Sequence, residues 1–144
     1  MQALPHQYQV SATLLPDSIE ITSDGLSTIQ SEPPAEFGGS GERWSPETLF
    51  VAAVADCFLL TFKAIARASK LDYVDVKADV EGVLDRVDGV TRFTTMTVRP
   101  VLIITAESQA EKADKLLHKA EKGCLISNSL NTEIKLETQV RVVP

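Results

Sequence analysis

The stretch Ser45-Pro46-Glu47-Thr48-Leu49-Phe50-Val51-Ala52-Ala53-Val54-Ala55-Asp56-Cys57-Phe58-Leu59-Leu60 sets two charged residues, Glu47 and Asp56, in an otherwise mostly apolar run. Ser45 suits a helix N-cap, Pro46 the first helical position, and Glu47 the positive end of the helix dipole. The stretch therefore reads as the start of a long helix with Cys57 deep inside it. Glu47 precedes Cys57 by ten residues, about 15 Å along a helix, so a contact between them needs folding back or a second subunit.

Working outward, the helix is expected to end near Ser69-Lys70. Upstream, Tyr8, Val10, Ala12 and Leu14 alternate with polar or small neighbours, as do Ile19 and Ile21, and Asp24-Gly25 supplies a turn before Leu26–Gln30. These read as three antiparallel strands. Ser31–Arg43 is rich in Pro, Gly and acidic residues and reads as an irregular loop.

Downstream, Val74, Val76, Ala78 and Val80 alternate strictly, and Asp88-Gly89 turns the chain into Arg92–Thr105, a long hairpin. Pro100 lacks the N–H a ladder needs, which places it at an edge or a bulge. Ser108 and Glu111 fit a capping box, Ala113, Leu116, Leu117 and Ala120 form one helix face, and Gly123 closes that helix. Ile134, Leu136, Thr138, Val140 and Val142 then alternate as one terminal strand. The expected order is β-β-β-α-β-β-α-β, an α+β domain in which a long helix and a second helix pack on an antiparallel sheet. The near-continuous apolarity of Leu49–Phe62 asks for burial on more than one side, and so for a second subunit.

The 144 residues, 44% of them hydrophobic, suit one domain spanning residues 1–144. The net charge of −6 opposes non-specific attraction to nucleic acid or an anionic membrane. Met1-Gln-Ala-Leu-Pro-His6 has no basic start followed by an apolar stretch, so a cytoplasmic location is expected. Leu49–Leu60 contains Asp56 and is shorter than the roughly 20 residues a membrane span needs, which favours a buried core helix. His6 and His118 have no zinc-ligand spacing with the cysteines, so no metal is expected.

The chain holds two cysteines, Cys57 and Cys124. In a cytoplasmic protein a pair is more naturally free or redox-active than a structural staple, although a lone buried cysteine also reads as a small hydrophobe. Cys124 follows Gly123 and precedes Leu125–Leu130, a short helical segment whose free N–H groups favour a thiolate. A disulfide needs Cα atoms roughly 4.4–6.8 Å apart, and the 66 residues between the cysteines neither guarantee nor exclude that.

Ser45-Pro46-Glu47-Thr48-Leu49-Phe50, Ala52-Ala53, Cys57-Phe58 and Gly123-Cys124-Leu125-Ile126-Ser127-Asn128-Ser129-Leu130 together resemble the OsmC/Ohr family of osmotically induced and organic hydroperoxide resistance proteins. The resemblance implies the OsmC-like fold, an intertwined homodimer with long central helices, and active sites at the subunit interface. It implies a cofactor-independent thiol peroxidase: Cys57 is oxidised by an organic hydroperoxide or hydrogen peroxide, Cys124 resolves it as a disulfide, and a small dithiol such as dihydrolipoamide restores both. The family's matching glutamate, here Glu47, pairs with an arginine. No lysine or arginine precedes Arg43, and Glu36 stands before Phe37 where OsmC-type members commonly carry an arginine. Arg43, four residues before Glu47, is the substitute the sequence offers, ahead of Lys63 and Arg67. Phe50, Phe58 and Phe62, with Leu60, are candidates for an apolar substrate pocket, against the plainer reading of a core stripe. The competing readings are an OsmC-like redox sensor or binder of a small apolar ligand, and a structural dimer with inert cysteines.

Overall fold

The computed structural model describes the whole chain, Met1–Pro144. Its backbone divides into two compact units, Met1–Leu49 and Phe50–Pro144. In the first unit, β1 (Ser11–Leu14), β2 (Ile19–Thr22) and β3 (Ile29–Ser31) form an antiparallel meander in that order. Gly25, at φ 74°, turns β2 toward β3, and the Leu26 N–H donates to the Ser23 carbonyl at 3.0 Å. The Pro/Gly-rich segment contains one 3₁₀ turn, Ala35–Phe37, and is otherwise irregular, as its composition dictates. At Gly39 a Cβ would lie 1.6 Å from the Pro33 carbonyl oxygen, so no other residue fits there.

The helix α1 spans Pro46–Ala68. Ser45 caps it: the Thr48 N–H donates to Ser45 Oγ at 3.1 Å, and the Leu49 N–H reaches the Ser45 carbonyl at 2.9 Å. Two residues past its end at Ala68, Lys70 takes a φ of 55° that turns the chain away, while the Leu71 N–H bonds the Ala66 carbonyl at 2.9 Å.

The second unit is a mixed sheet with two helices following it in sequence. β4 (Asp75–Val87) and β5 (Val90–Ile104) form the expected hairpin, closed by Asp88 and Gly89, both with positive φ as a two-residue turn of this kind requires. β6 (Glu133–Leu136) and β7 (Gln139–Val142) lie end to end on the other side of β5, both parallel to it. The single terminal strand read from the alternation is therefore two strands, and this half of the sheet is not antiparallel. Pro100 accounts for the break. The Val98 carbonyl accepts from the Glu137 N–H at 2.9 Å, so even-numbered positions of β5 point their hydrogen-bonding groups toward β6 and β7. Pro100 offers no donor on that side, and it falls opposite the gap at Glu137-Thr138. It thus sits in an inner strand, and the register shift of the hairpin lies instead at Val83/Leu84.

The core of this unit gathers Val54, Phe58, Phe62 and Ala66 from α1, Met96, Val98, Leu102 and Ile104 from β5, and Ala113, Leu116, Leu117 and Ala120 from α2 (Ala110–Gly123). Gly82 lets β4 approach α1: a Cβ there would lie 2.9 Å from both Phe93 Cε1 and Val51 Cγ2. The helix face of α2 is as expected, but the capping box is not formed. Ser108 lies in a 3₁₀ turn, Glu107–Gln109, and the N-cap residue Gln109 makes no side-chain cap bond.

Only Val54, Phe58, Phe62 and Ala66 of α1 are buried by the chain itself, while Leu60 is 61% exposed. By length and composition α1 is long and apolar enough to cross a membrane, more so than the run Leu49–Leu60 alone. Asp56, Lys63 and Arg67 interrupt its exposed side.

Candidate active site

Cys57 stands mid-way along α1, one residue before the buried Phe58, and is half-buried rather than deeply enclosed. Cys124 arrives from the other end of the unit. α2 stops at Gly123, which lies against Thr61 of α1: a Cβ on it would sit 3.4 Å from Thr61 Cγ2. Cys124 is then extended (φ −68°, ψ 107°) and caps the short helix α3 (Leu125–Asn128). It is 1% exposed. The chain thus brings the two free thiols, far apart in sequence, close enough for each to shift the other's ionisation.

The pair is electrically unequal. Burial pushes the Cys57 thiol up, but donors outweigh it: the Ile126 N–H first, then the Cys124 thiol, with Thr61 and the Leu125 N–H behind them, so Cys57 is held below its ordinary value. The one hydroxyl hydrogen of Thr61 goes to the Cys57 carbonyl at 2.7 Å, and its oxygen is 3.9 Å from Sγ. Burial pushes the Cys124 thiol up; Ser127, through its side chain and its amide, pulls it partly back, and the neighbouring Cys57 pushes it up again. The first N–H groups of a helix have no intrahelical acceptors. Here the Ile126 and Leu125 amides act on Cys57, across the gap between elements, and the Ser127 amide acts on Cys124.

The other site candidates fare differently. Glu47 lies on the first turn of α1, its Oε2 buried with no hydrogen-bond partner. Arg43 does not pair with it. Its guanidinium donates to the Asp17 carbonyl at 3.3 Å and sits near Glu32. The nearer anchor for the loop is Glu32, whose carboxylate accepts from the Ser40 hydroxyl and amide and from the Gly41 amide at 3.1 Å. Glu47 also borders a cleft of about 420 Å³ in the first unit, lined with Leu14, Ile19, Pro33, Pro34 and Phe37.

The aromatic pocket is overturned for two of its three members. Phe58 and Phe62 are 1% and 0% exposed and belong to the core, and Phe50 stacks on Phe93 with ring centroids 5.1 Å apart. A stripe at i and i+4 on a helix that faces a sheet is filled by the sheet. Sequence reasoning missed Thr61 and Ser127 as neighbours of the thiols. The available signals were a hydroxyl one helical turn after Cys57 and another three residues after Cys124.

The α+β scaffold sets a half-buried cysteine, its pKa lowered, near a buried one whose pKa is raised. The chain belongs to the OsmC-like protein family, whose profile matches residues 39–139. It is 30% identical to the uncharacterised protein YmaD of Bacillus subtilis over 114 residues, 76% of each chain. Among solved structures, an OsmC-like protein of unknown function from Vibrio cholerae superposes with a TM-score of 0.83 at 23% identity, over 93% of this chain and 99% of that one. An organic hydroperoxide resistance protein OsmC from Legionella pneumophila gives a TM-score of 0.77 at 24% identity, over 98% and 100%. These likenesses establish the OsmC-like fold.

Proposed function

We propose that this chain is a cysteine-based peroxidase that reduces organic hydroperoxides and also hydrogen peroxide, with residues 1–144 acting as a single OsmC-like domain in the cytoplasm. The observation that carries the reading is two free cysteines brought together where Gly123 meets Thr61, Cys57 half-buried and Cys124 buried, with Cys57 displaced toward the thiolate and Cys124 away from it. The description of the Legionella protein as an organic hydroperoxide resistance protein on the same fold supports it.

In this reading the Cys57 thiolate attacks one peroxide oxygen. The O–O bond breaks, its electron pair leaves on the other oxygen, which takes a proton to become an alcohol, and Cys57 becomes a sulfenic acid. Cys124 then loses its proton and attacks that sulfur, the S–O bond breaks, and the oxygen leaves as water. A small dithiol reduces the Cys57–Cys124 disulfide through a mixed disulfide and is itself oxidised to a cyclic disulfide.

The same proposal includes a homodimer. The apolar side of α1 that its own chain leaves uncovered, Leu60 foremost, supports it, and the unpartnered Oε2 of Glu47 would find its donor across that interface. Sedimentation of a monomer at micromolar concentration would count against the dimer.

Stopped-flow oxidation of the reduced protein by cumene hydroperoxide and by hydrogen peroxide, with Cys57→Ser and Cys124→Ser as controls and mass spectrometry of the products, tests the chemistry. Rapid oxidation that needs Cys57, and a disulfide that needs both cysteines, is the expected result. A second reading, an OsmC-like redox sensor or binder of a small apolar ligand, draws on the lack of any cation paired with Glu47. Slow oxidation, indifferent to the peroxide used, would favour it.

A further inference from the structure

Thr61 lies one helical turn after Cys57 on α1, about 40° further round the helix and on the same flank of its buried line. It is the one hydroxyl-bearing residue of α1 beyond the first turn, at a position where alanine or leucine would favour the helix more. Its two branches meet different partners. The hydroxyl donates to the Cys57 carbonyl at 2.7 Å, and the Cys57 sulfur lies 3.9 Å from the same oxygen. The methyl group faces the end of α2. A Cβ built on Gly123 would lie 3.4 Å from Thr61 Cγ2, and nothing else beyond the immediate backbone comes within 4 Å of that point. On a β-branched residue the two contacts are linked. A hydroxyl tied to the carbonyl four residues earlier fixes χ1, and a fixed χ1 fixes the direction of the methyl. The residue after Gly123 is Cys124, 1% exposed, so the methyl bears on the step of backbone that delivers the second thiol.

We infer that Thr61 is the positioning residue of the two-cysteine centre: its hydroxyl anchors it to the Cys57 carbonyl, and its methyl spaces Gly123 from α1 and so sets how closely Cys124 stands to Cys57. The inference takes its purpose, closure of the disulfide, from the peroxidase reading and goes beyond it in naming what holds the two sulfurs in register. In that step Cys124 loses its proton and bonds to the sulfenic sulfur of Cys57, the S–O bond breaks, and the oxygen leaves as water. Thr61 exchanges no proton. The other bonds around Cys124 are local: its N–H donates to the Glu121 carbonyl at 3.3 Å, and its carbonyl accepts from the Asn128 N–H at 3.0 Å. They shape the turn between α2 and α3 without fixing its distance from α1. The Ile126 and Leu125 amides, which pull the Cys57 thiol down, belong to the same turn.

Three substitutions separate the parts. Thr61→Val removes the hydroxyl but keeps the branched shape, which a helix holds in one χ1 well. Thr61→Ser keeps the hydroxyl and removes the methyl. Gly123→Ala, added to Thr61→Ser, returns a methyl to the gap from the other side. The readout is the equilibrium of the Cys57–Cys124 disulfide with reduced and oxidised glutathione in the full chain, which gives the effective concentration of one thiol at the other and needs no peroxide. Thr61→Ser is expected to lower that concentration by about tenfold, the scale of a modest loss of positioning. It should also move the iodoacetamide profile of Cys57 to higher pH. Thr61→Val should stay close to wild type in both. The double variant should recover most of the loss, a non-additive result that general loosening of the helix would not give. A larger loss in Thr61→Val than in Thr61→Ser makes the hydroxyl the working group and overturns the inference. So does an unchanged equilibrium in Thr61→Ser, or a loss that Gly123→Ala leaves in place. The peroxidase reading fails separately, on the absence of a fast Cys57-dependent phase with cumene hydroperoxide in wild type, and the glutathione result stands without it.

Discussion

Replacing Cys124 by alanine or by serine isolates the contribution of one donor to the reactivity of Cys57. In both variants Cys57 is the sole thiol, so alkylation reports it without ambiguity. The lowered pKa of Cys57 arises because donors from α3 and Cys124 outweigh burial. Alanine deletes the Cys124 donor and leaves the amides of Ile126 and Leu125 in place. One such bond contributes about 1 kcal/mol net, and about 1.4 kcal/mol is a factor of ten. The thiolate population of Cys57 at neutral pH should therefore fall about fivefold in Cys124→Ala. Serine restores a hydroxyl donor on a shorter bond to Cβ, and its effect should fall between the two.

The sign is fixed by the direction of the shift. A thiol whose pKa is lowered reaches its full alkylation rate at a lower pH than an ordinary cysteine, and loses it as pH falls through the lowered value. Removing a donor must move the whole profile to higher pH, with little change in the plateau, because the plateau measures the thiolate itself. The assay is the iodoacetamide rate of the reduced protein as a function of pH. A Cys124→Ala profile that superimposes on wild type, or moves to lower pH, would refute the assignment of Cys124 as a donor to Cys57.

Phe62→Ala should cost about 3–5 kcal/mol in urea unfolding, since the ring is fully enclosed between α1 and the sheet and lies 5.4 Å from the Tyr73 ring. Gly82→Val should lower stability by about 1–3 kcal/mol, because even the first added carbon meets Phe93 and Val51 at 2.9 Å; unchanged thermal unfolding would show that α1 and β4 are less closely packed than described. Glu32 has a carboxylate held below its ordinary range by the Ser40 hydroxyl first, then by the Ser40 and Gly41 amides and Arg43, against the opposing effect of desolvation. Its contribution to loop order is therefore complete above the ordinary carboxylate range and is lost as pH falls through the lowered pKa. The amide resonances of Ser40 and Gly41 should follow that titration, and Glu32→Gln should abolish it.

The parts of the fold legible from sequence are those decided locally. Ser45 and Pro46 start α1 because capping needs only neighbouring residues, and Asp88-Gly89 turns the hairpin because few other pairs take two left-handed positions. The face of α2 is legible because Ala113, Leu116, Leu117 and Ala120 share one helical side. What depends on distant elements is not. Alternation from Ile134 to Val142 is the same whether a strand runs parallel or antiparallel, and it does not reveal that the pairing with β5 is interrupted between Leu136 and Gln139, opposite Pro100. Phe58 and Phe62 cannot be sorted into pocket or core without knowing what their helix faces. The free amides of α3 were visible, but their target was not, because Cys57 is supplied by another helix.

The angular position of Cys57 gives a thiol there surroundings that the neighbouring positions of α1 lack. Val54, Phe58, Phe62 and Ala66 recur every four residues and mark the line of α1 pressed into the core. At about 3.6 residues per turn, Cys57 lies roughly 100° from Phe58 around the helix. A sulfur at position 58 would be fully enclosed, where burial opposes ionisation. At position 56 it would be exposed, as Asp56 is. At 57 it stands at the edge of the core, close enough to the end of α2 for Ile126, Leu125 and Cys124 to reach it. Gly123 permits that approach by presenting no side chain to Thr61. The unequal ionisation of the two thiols thus follows from where each element meets the core. Moving Cys57 one position along α1, with its neighbours unchanged, should abolish its reactivity even though the helix still forms.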